Sequence, residues 1–195
     1  MIYAGGGVVS CDAAGEMAIF AEKCDAPVSL SLMGQCAFDN TKPAYTGMLG
    51  MHGTKTSAMA LGECDLLIVL GSRFSDRVLC NAGTFAKDTK IVHIEIDPAE
   101  IGKNINVDAY VAGDLKYVLA KLNEILPDMK HSEWMEKIAE WKNKYALKMV
   151  PVESEDEVLP QDVIETLDKL TSGEAIITTE VGQHQMWAAQ YYNFR

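Results

Sequence analysis

The sequence lacks an excess of positive charge: 17 Lys and Arg stand against 28 Asp and Glu, for a net charge of -11. No basic face is available to neutralise a phosphate backbone. That excludes nonspecific nucleic-acid binding and disfavours attachment to an anionic membrane surface. No apolar run approaches the ~20 residues that span a bilayer, so no membrane segment is read. Met1-Ile2-Tyr3-Ala4-Gly5 carries no basic region ahead of an apolar one, and so no signal peptide. The cysteines are Cys11, Cys24, Cys36, Cys64 and Cys80, with no C-x-x-C pair. An odd, scattered set argues against a disulfide framework and a zinc knuckle, and fits a reducing, cytoplasmic setting. His52, His93, His131 and His184 show no ligand-like spacing, and a metal site within the chain is not expected. No G-x-S-x-G elbow occurs, so no serine-nucleophile site is read. What is present is an ordinary globular balance: 195 residues, 48% hydrophobic and 23% charged. That amounts to one domain, or one plus part of another.

Apolar runs and helical spacing alternate along the chain. Strands are expected at Ile2–Ala4, Pro27–Leu32, Asp65–Gly71, Lys90–Ile96, Tyr110–Ala112 and Ala175–Thr179. The run Asp65–Gly71 is continuously apolar after its first residue and ends in glycine, the mark of a strand buried on both faces. Helices are expected at Cys11–Cys24, Thr54–Cys64 with Thr54 or Thr56 as cap, Leu115–Leu126, 131–147, Gln161–Leu170 and from Gly182 onward, with an amphipathic segment over Trp187–Arg195. Met33–Gly53 reads as one long glycine-bearing loop. Strands separated by helices imply an α/β fold, a Rossmann-like parallel sheet flanked by helices. Lys148–Pro160 holds two prolines and four acids and reads as a linker. Both ends are abrupt, which suggests a piece of a longer protein.

Four segments carry possible chemistry. Gly5-Gly6-Gly7 lies between a strand and a helix, where backbone N–H groups can approach a phosphate; the alternative is a tight turn. Ser10 stands where the dinucleotide fingerprint wants glycine, and Asp25, in the window for a ribose-binding acid, can equally end its helix. Gly47-Met48-Leu49-Gly50-Met51-His52-Gly53-Thr54 can lie flat on an extended ligand, its methionines against a ring system, or pack as a buried loop. Gly71-Ser72-Arg73-Phe74-Ser75-Asp76-Arg77 follows the central strand, and its arginines suit a diphosphate or carboxylate unless an Arg–Asp pair merely braces the loop. Glu95-Ile96-Asp97-Pro98 and Gly113-Asp114 end strands, where acids bond ribose hydroxyls or cap the next helix.

Three motifs in order, L-G-M-H-G, G-x-R-F-x-D-R and V-G-Q-H-Q-M-W, resemble the large catalytic subunit of acetolactate synthase (acetohydroxyacid synthase). The resemblance runs from Ile2 to Tyr192. It implies a central FAD-binding domain over 1–147, a linker over 148–160, and over 161–195 the truncated start of a C-terminal thiamine-diphosphate-binding domain. It implies FAD contacts at Gly6, Gly7, Leu32, Met33, Gly34, Met51, His52, Gly53, Thr54, Gly71, Arg73, Asp76, Arg77, Glu95, Ile96, Asp97, Ile101, Gly113 and Asp114. Gln183 and His184 match positions near the thiamine diphosphate; Met51, Asp76 and Arg77 match positions near the substrate channel. The family usually reads R-F-D-D-R, whereas this chain has Ser75, which offers a hydroxyl but no charge.

The family joins two pyruvates, or pyruvate and 2-oxobutyrate, with loss of CO₂ in branched-chain amino-acid biosynthesis. It uses FAD, thiamine diphosphate and Mg²⁺, and is homo-oligomeric with a smaller regulatory subunit. Its chemistry needs an activating glutamate from an N-terminal domain and a G-D-G…N segment for Mg²⁺. Gly113-Asp114-Leu115 fails that pattern at its third position, and Asn143 is a poor partner for it. No catalytic residue is therefore expected within this chain, and alone it is expected to be inert. The competing readings are a stand-alone flavin-binding module, an NAD-dependent Rossmann enzyme, and a related carboligase such as glyoxylate carboligase or a flavin-free catabolic acetolactate synthase.

Overall fold

The structure, a computed structural model, describes residues 1–79, 83, 85–147 and 158–195. Six parallel strands form one sheet in the order β3-β2-β1-β4-β5-β6. They are β1 (Ile2–Ala4), β2 (Val28–Leu30), β3 (Tyr45–Met48), β4 (Leu66–Leu70), β5 (Lys90–Glu95) and β6 (Ala109–Ala112). The chain runs outward from the central strand to one edge, returns, and builds the other half. That reversal between β1 and β4 is the switch point of a doubly wound sheet.

The period-two alternation of the central strands explains why both sheet faces are dry. Ile2 and Ala4 point to one face, with Val28, Leu30 and Leu70, and are covered by Met17 and Phe20 of α2 (Ala14–Cys24) and Leu115 and Leu119 of α5 (Leu115–Ile125). Tyr3, Leu67, Val69 and Ile91 point to the other, under Ala60 of α3 (Lys55–Glu63) and Ile138 and Trp141 of α6 (Ser132–Lys144). The helix expected at 131–147 thus lies on the surface by one face only. Thr54 caps α3: its Oγ1 accepts the Ser57 N–H at 3.1 Å.

Four expectations are corrected. The long loop 33–53 contains a 3₁₀ helix, Leu32–Ala37, and the edge strand β3. Tyr45-Thr46-Gly47-Met48 has weak strand character of its own and is drawn into the sheet by β2, with a register shift between Val28 and Ser29. Ala175–Thr179 is β-branched but is not a strand. It has no neighbour to pair with among the described residues, and Ile176 is 93% exposed. Trp187–Arg195 is not one helix: α8 spans Gln183–Tyr191 and the last residues leave it. The helix expected at Cys11–Cys24 begins at Ala14, preceded by a separate short α1 (Gly6–Ser10). The core of the expected linker, 148–157, lies outside the described residues. Its far end leads into α7 (Pro160–Thr171), opened by Pro160 and by the Asp162 carboxylate, which accepts the Leu159 N–H at 3.1 Å. Among the described residues no helix is long and apolar enough to cross a membrane.

Candidate functional site

The carboxyl ends of β1, β2, β3, β4 and β5 meet around a cavity of about 900 Å³. That is within the range of cofactor sites, and it lies at the switch point where open α/β sheets bind ligands. Its walls come from segments far apart in sequence: Gly5–Gly7 after β1, Ser31–Met33 after β2, Leu49, Met51 and His52 after β3, Gly71–Arg73 after β4, and Glu95 at the end of β5. The start of α8 closes one side with Gly182, Gln183, Gln185 and Met186. Gln190 ties α8 down by donating its side-chain N–H to the His52 carbonyl at 3.0 Å.

The glycine run holds the two central strand ends together as well as facing the cavity. Gly5 N–H donates to the Leu70 carbonyl at 2.8 Å and Gly7 N–H to the Gly71 carbonyl at 3.0 Å. Gly6 N–H is left without an acceptor among the described residues and is the one free to face a ligand. Gly71 has φ +56°, and a Cβ there would stand 2.7 Å from Gly7 Cα. The strand-to-helix turn therefore requires glycine on both sides. The tight-turn reading holds for this run, and the run also lines the cavity.

The arginine segment is more decisive. Arg73 and Arg77 line the cavity, and both are exposed on the open side. Neither forms an ion pair among the described residues, so the Arg–Asp brace is not what holds this loop. Asn104 does that instead, donating to the Arg73 and Phe74 carbonyls at 3.0 and 3.1 Å. Asp76 accepts the Arg77 N–H at 3.0 Å and does not line the cavity. In a chain of net charge -11, two unpaired guanidiniums at a cavity mouth make a local site for an anion. The apolar lining is rich in methionine, with Met33, Met48, Met51 and Met186, which suits the flat face of a ring system.

The expected site residues separate into two groups. Gly6, Gly7, Leu32, Met33, Met51, His52, Gly71, Arg73, Arg77, Glu95 and Gln183 line the cavity. Gly34, Gly53, Thr54, Asp76, Ile96, Asp97, Ile101, Gly113, Asp114 and His184 do not. Several of these have local roles. Thr54 Oγ1 donates to the Thr46 carbonyl at 2.6 Å while capping α3. Asp97 accepts the Ala99 N–H at 2.9 Å, and Asp114 accepts the Tyr117 N–H at 3.0 Å as cap of α5. Glu95 accepts the Ile96 N–H at 2.9 Å and still reaches the wall. Asp25, the alternative ribose acid, caps α2 in the left-handed region and accepts the His131 N–H. The residue that follows β2, where a dinucleotide fold carries its ribose acid, is Ser31. Sequence reading missed Tyr3 and Ser31, because nothing distinguishes them from ordinary core and loop residues.

Residues 1–122 match the family model described as thiamine pyrophosphate enzyme, central domain. The chain belongs to that family. The six-stranded parallel sheet and its flanking helices are the fold of this thiamine pyrophosphate enzyme central domain. Among its relatives is the acetolactate synthase large subunit of Parasynechococcus marenigrum (strain WH8102), 45% identical over 98% of this chain and 31% of the relative. The acetolactate synthase large subunit of Corynebacterium glutamicum is 43% identical over 100% of this chain and 32% of its own length. The probable acetolactate synthase large subunit of Methanocaldococcus jannaschii is 43% identical over 98% and 34%. The chain spans about a third of the length of the curated relatives it matches. The cavity thus lies in the central-domain part of the chain, with α8, beyond the matched residues, completing one wall.

Proposed function

We propose that this chain is the flavin-holding central segment of an acetolactate-synthase-type large subunit. The parent would condense two pyruvates, or pyruvate and 2-oxobutyrate, with loss of CO₂, using thiamine diphosphate and Mg²⁺. Residues 1–147 would form the FAD-binding domain, 148–160 a linker, and 161–195 the first elements of a thiamine-diphosphate-binding domain. Assembly into homo-oligomers with a regulatory subunit belongs to the same reading.

The observation that carries the flavin assignment is the cavity at the sheet's switch point, with its methionine walls and two unpaired arginines. These residues fit an extended flavin dinucleotide. Arg73 and Arg77 would hold the diphosphate; Met33, Met48 and Met51 would pack on the ring system; Glu95 would accept a sugar hydroxyl. An NAD reading is less well supported, because Ser31 follows β2 in place of a ribose-binding acid. Since the condensation moves no net electrons, the bound flavin would serve as a structural element that orders the loops after β2, β3 and β4. Gln183, on the same wall, and His184, beside it, would face the thiamine diphosphate from α8. Met51, Asp76 and Arg77 would border the substrate channel.

The arginines provide the test. The double variant Arg73→Ala, Arg77→Ala is expected to weaken FAD binding by roughly tenfold to a hundredfold, since each exposed charge-assisted bond contributes a moderate amount. Riboflavin, which has no phosphate, should bind the variant and the parent chain alike. Equal loss for both ligands would mean that the arginines do not meet the diphosphate.

A further inference from the structure

Tyr3 lies in the central strand, paired with Ser29 of β2 and Val69 of β4, and its side chain is 0% exposed. The ring packs 6.5 Å from Phe74, centroid to centroid, and reaches the cavity wall. Its hydroxyl is buried and has no hydrogen-bond partner among the described residues. Five other buried side-chain polar atoms lack a hydrogen bond among the described residues, on Gln35, Asn40, His93, Asn123 and Asp168; none of those residues lines the cavity. Buried hydroxyls are normally satisfied, so an orphan on a cavity wall calls for a partner. The Ser31 and Ser72 hydroxyls lie beside the phenol without completing a hydrogen bond of normal geometry to it, and both residues line the cavity. Ser31 precedes the 3₁₀ helix and its side chain caps nothing. Ser72 is fixed through its backbone, where its carbonyl stands 2.9 Å from His93 Nε2. Three hydroxyls, one in β1 and two in the segments that follow β2 and β4, therefore converge on one part of the wall.

We propose that Tyr3, Ser31 and Ser72 form a neutral hydrogen-bonding floor that receives an uncharged oxygen of the bound ligand, with the Tyr3 hydroxyl as principal donor. This rests on the flavin reading, and it assigns the riboflavin half of the ligand, with its sugar-chain hydroxyls and ring carbonyls, to this floor. The reason is electrostatic. Burial raises the phenol's pKa, the Ser72 and Ser31 hydroxyls oppose the rise, and no charged side chain acts on it. A phosphate placed there would be buried without a counter-charge, which is costly; a neutral oxygen carries no such cost. The phenol also stays protonated throughout the physiological range, as a donor must.

The test is FAD titration of this chain and of Tyr3→Phe, followed by flavin fluorescence, with thermal melting of both proteins free of ligand. The variant keeps the ring and removes only the orphan hydroxyl. FAD affinity is expected to fall about tenfold, the loss of one buried donor to the ligand. The ligand-free melting temperature is expected to hold or rise, because no described residue completes a hydrogen bond of normal geometry to that hydroxyl. A second variant, Ser72→Ala, should weaken FAD in the same direction without lowering stability. Unchanged FAD affinity in Tyr3→Phe would overturn the floor and leave the flavin reading standing. Weaker binding accompanied by a melting temperature several degrees lower would assign Tyr3 a packing role and also overturn it. If the parent chain takes up no FAD at all, the flavin reading fails and the floor fails with it.

Discussion

Gly71→Ala is expected to destabilise the protein by about 2–5 kcal/mol, a large fraction of the 5–15 kcal/mol that holds a typical domain together. Two costs combine. Gly71 has φ +56°, where a side chain brings a penalty of order 1–3 kcal/mol. The new Cβ would also stand 2.7 Å from Gly7 Cα and 3.1 Å from Val8 N, both backbone atoms that cannot rotate away. Overpacking of that kind costs roughly 1–3 kcal/mol. Relief requires β1 and β4 to part at their carboxyl ends, which also strains the Gly5-to-Leu70 and Gly7-to-Gly71 hydrogen bonds and distorts the cavity. Gly62→Ala is the natural control. It lies within α3 with nothing within 4 Å of its would-be Cβ, and should raise stability by up to about 1 kcal/mol. Urea unfolding of the two variants makes the comparison. Similar small effects from both would mean that the strand tips are not held as described.

The second large effect is a complete loss. Incubated with pyruvate, thiamine diphosphate, Mg²⁺ and FAD, the purified chain is expected to form no acetolactate above the uncatalysed background. Enzymes lower such barriers by roughly 8–23 kcal/mol, and they do so with groups placed against the reacting atoms. Here the one Gly-Asp pair at a strand end is Gly113-Asp114, and its carboxylate is occupied in capping α5. Among the described residues no group of three or more His, Cys, Asp or Glu side chains could hold a metal ion. We therefore expect the groups that act on a 2-oxo acid to lie outside this chain. Product formation that saturates with pyruvate and scales with chain concentration would refute this, and would place the catalytic groups within these 195 residues.

The elements legible in the sequence were those whose own composition decided them. β1, β4 and β5 are apolar runs buried in the middle of the sheet, and α5 has a clear apolar stripe, so each could be read locally. The two failures at strands are opposite in kind. Tyr45–Met48 carries a glycine at φ +110° and looks like loop, but pairing with β2 makes it a strand. Ala175–Thr179 looks like a strand but has no partner among the described residues, and a strand without a neighbour has nothing to bond to. Both outcomes depend on contacts distant in sequence, which a local pattern does not contain.

The candidate site divides along the same line. Gly5–Gly7, Met51-His52, Gly71–Arg73 and Arg77, which line the cavity, were readable because glycine runs and paired arginines at strand ends are unusual in sequence. Thr54, Asp97 and Asp114 matched the same pattern, yet their side chains are engaged in turns and helix caps, since the residue types that hold ligands at strand ends also cap helices. Tyr3 was invisible for the converse reason. In sequence it is one more apolar position in a core strand, and only its unpartnered hydroxyl on the cavity wall distinguishes it.

We propose that the cavity between the strand ends holds a flavin dinucleotide. The most direct test is to titrate the purified chain with FAD, separate bound from free by gel filtration, and repeat the titration in the presence of NAD. Saturable uptake of one FAD per chain, unaffected by NAD, is the predicted result. No saturable uptake, or displacement of FAD by NAD at comparable concentration, would contradict it.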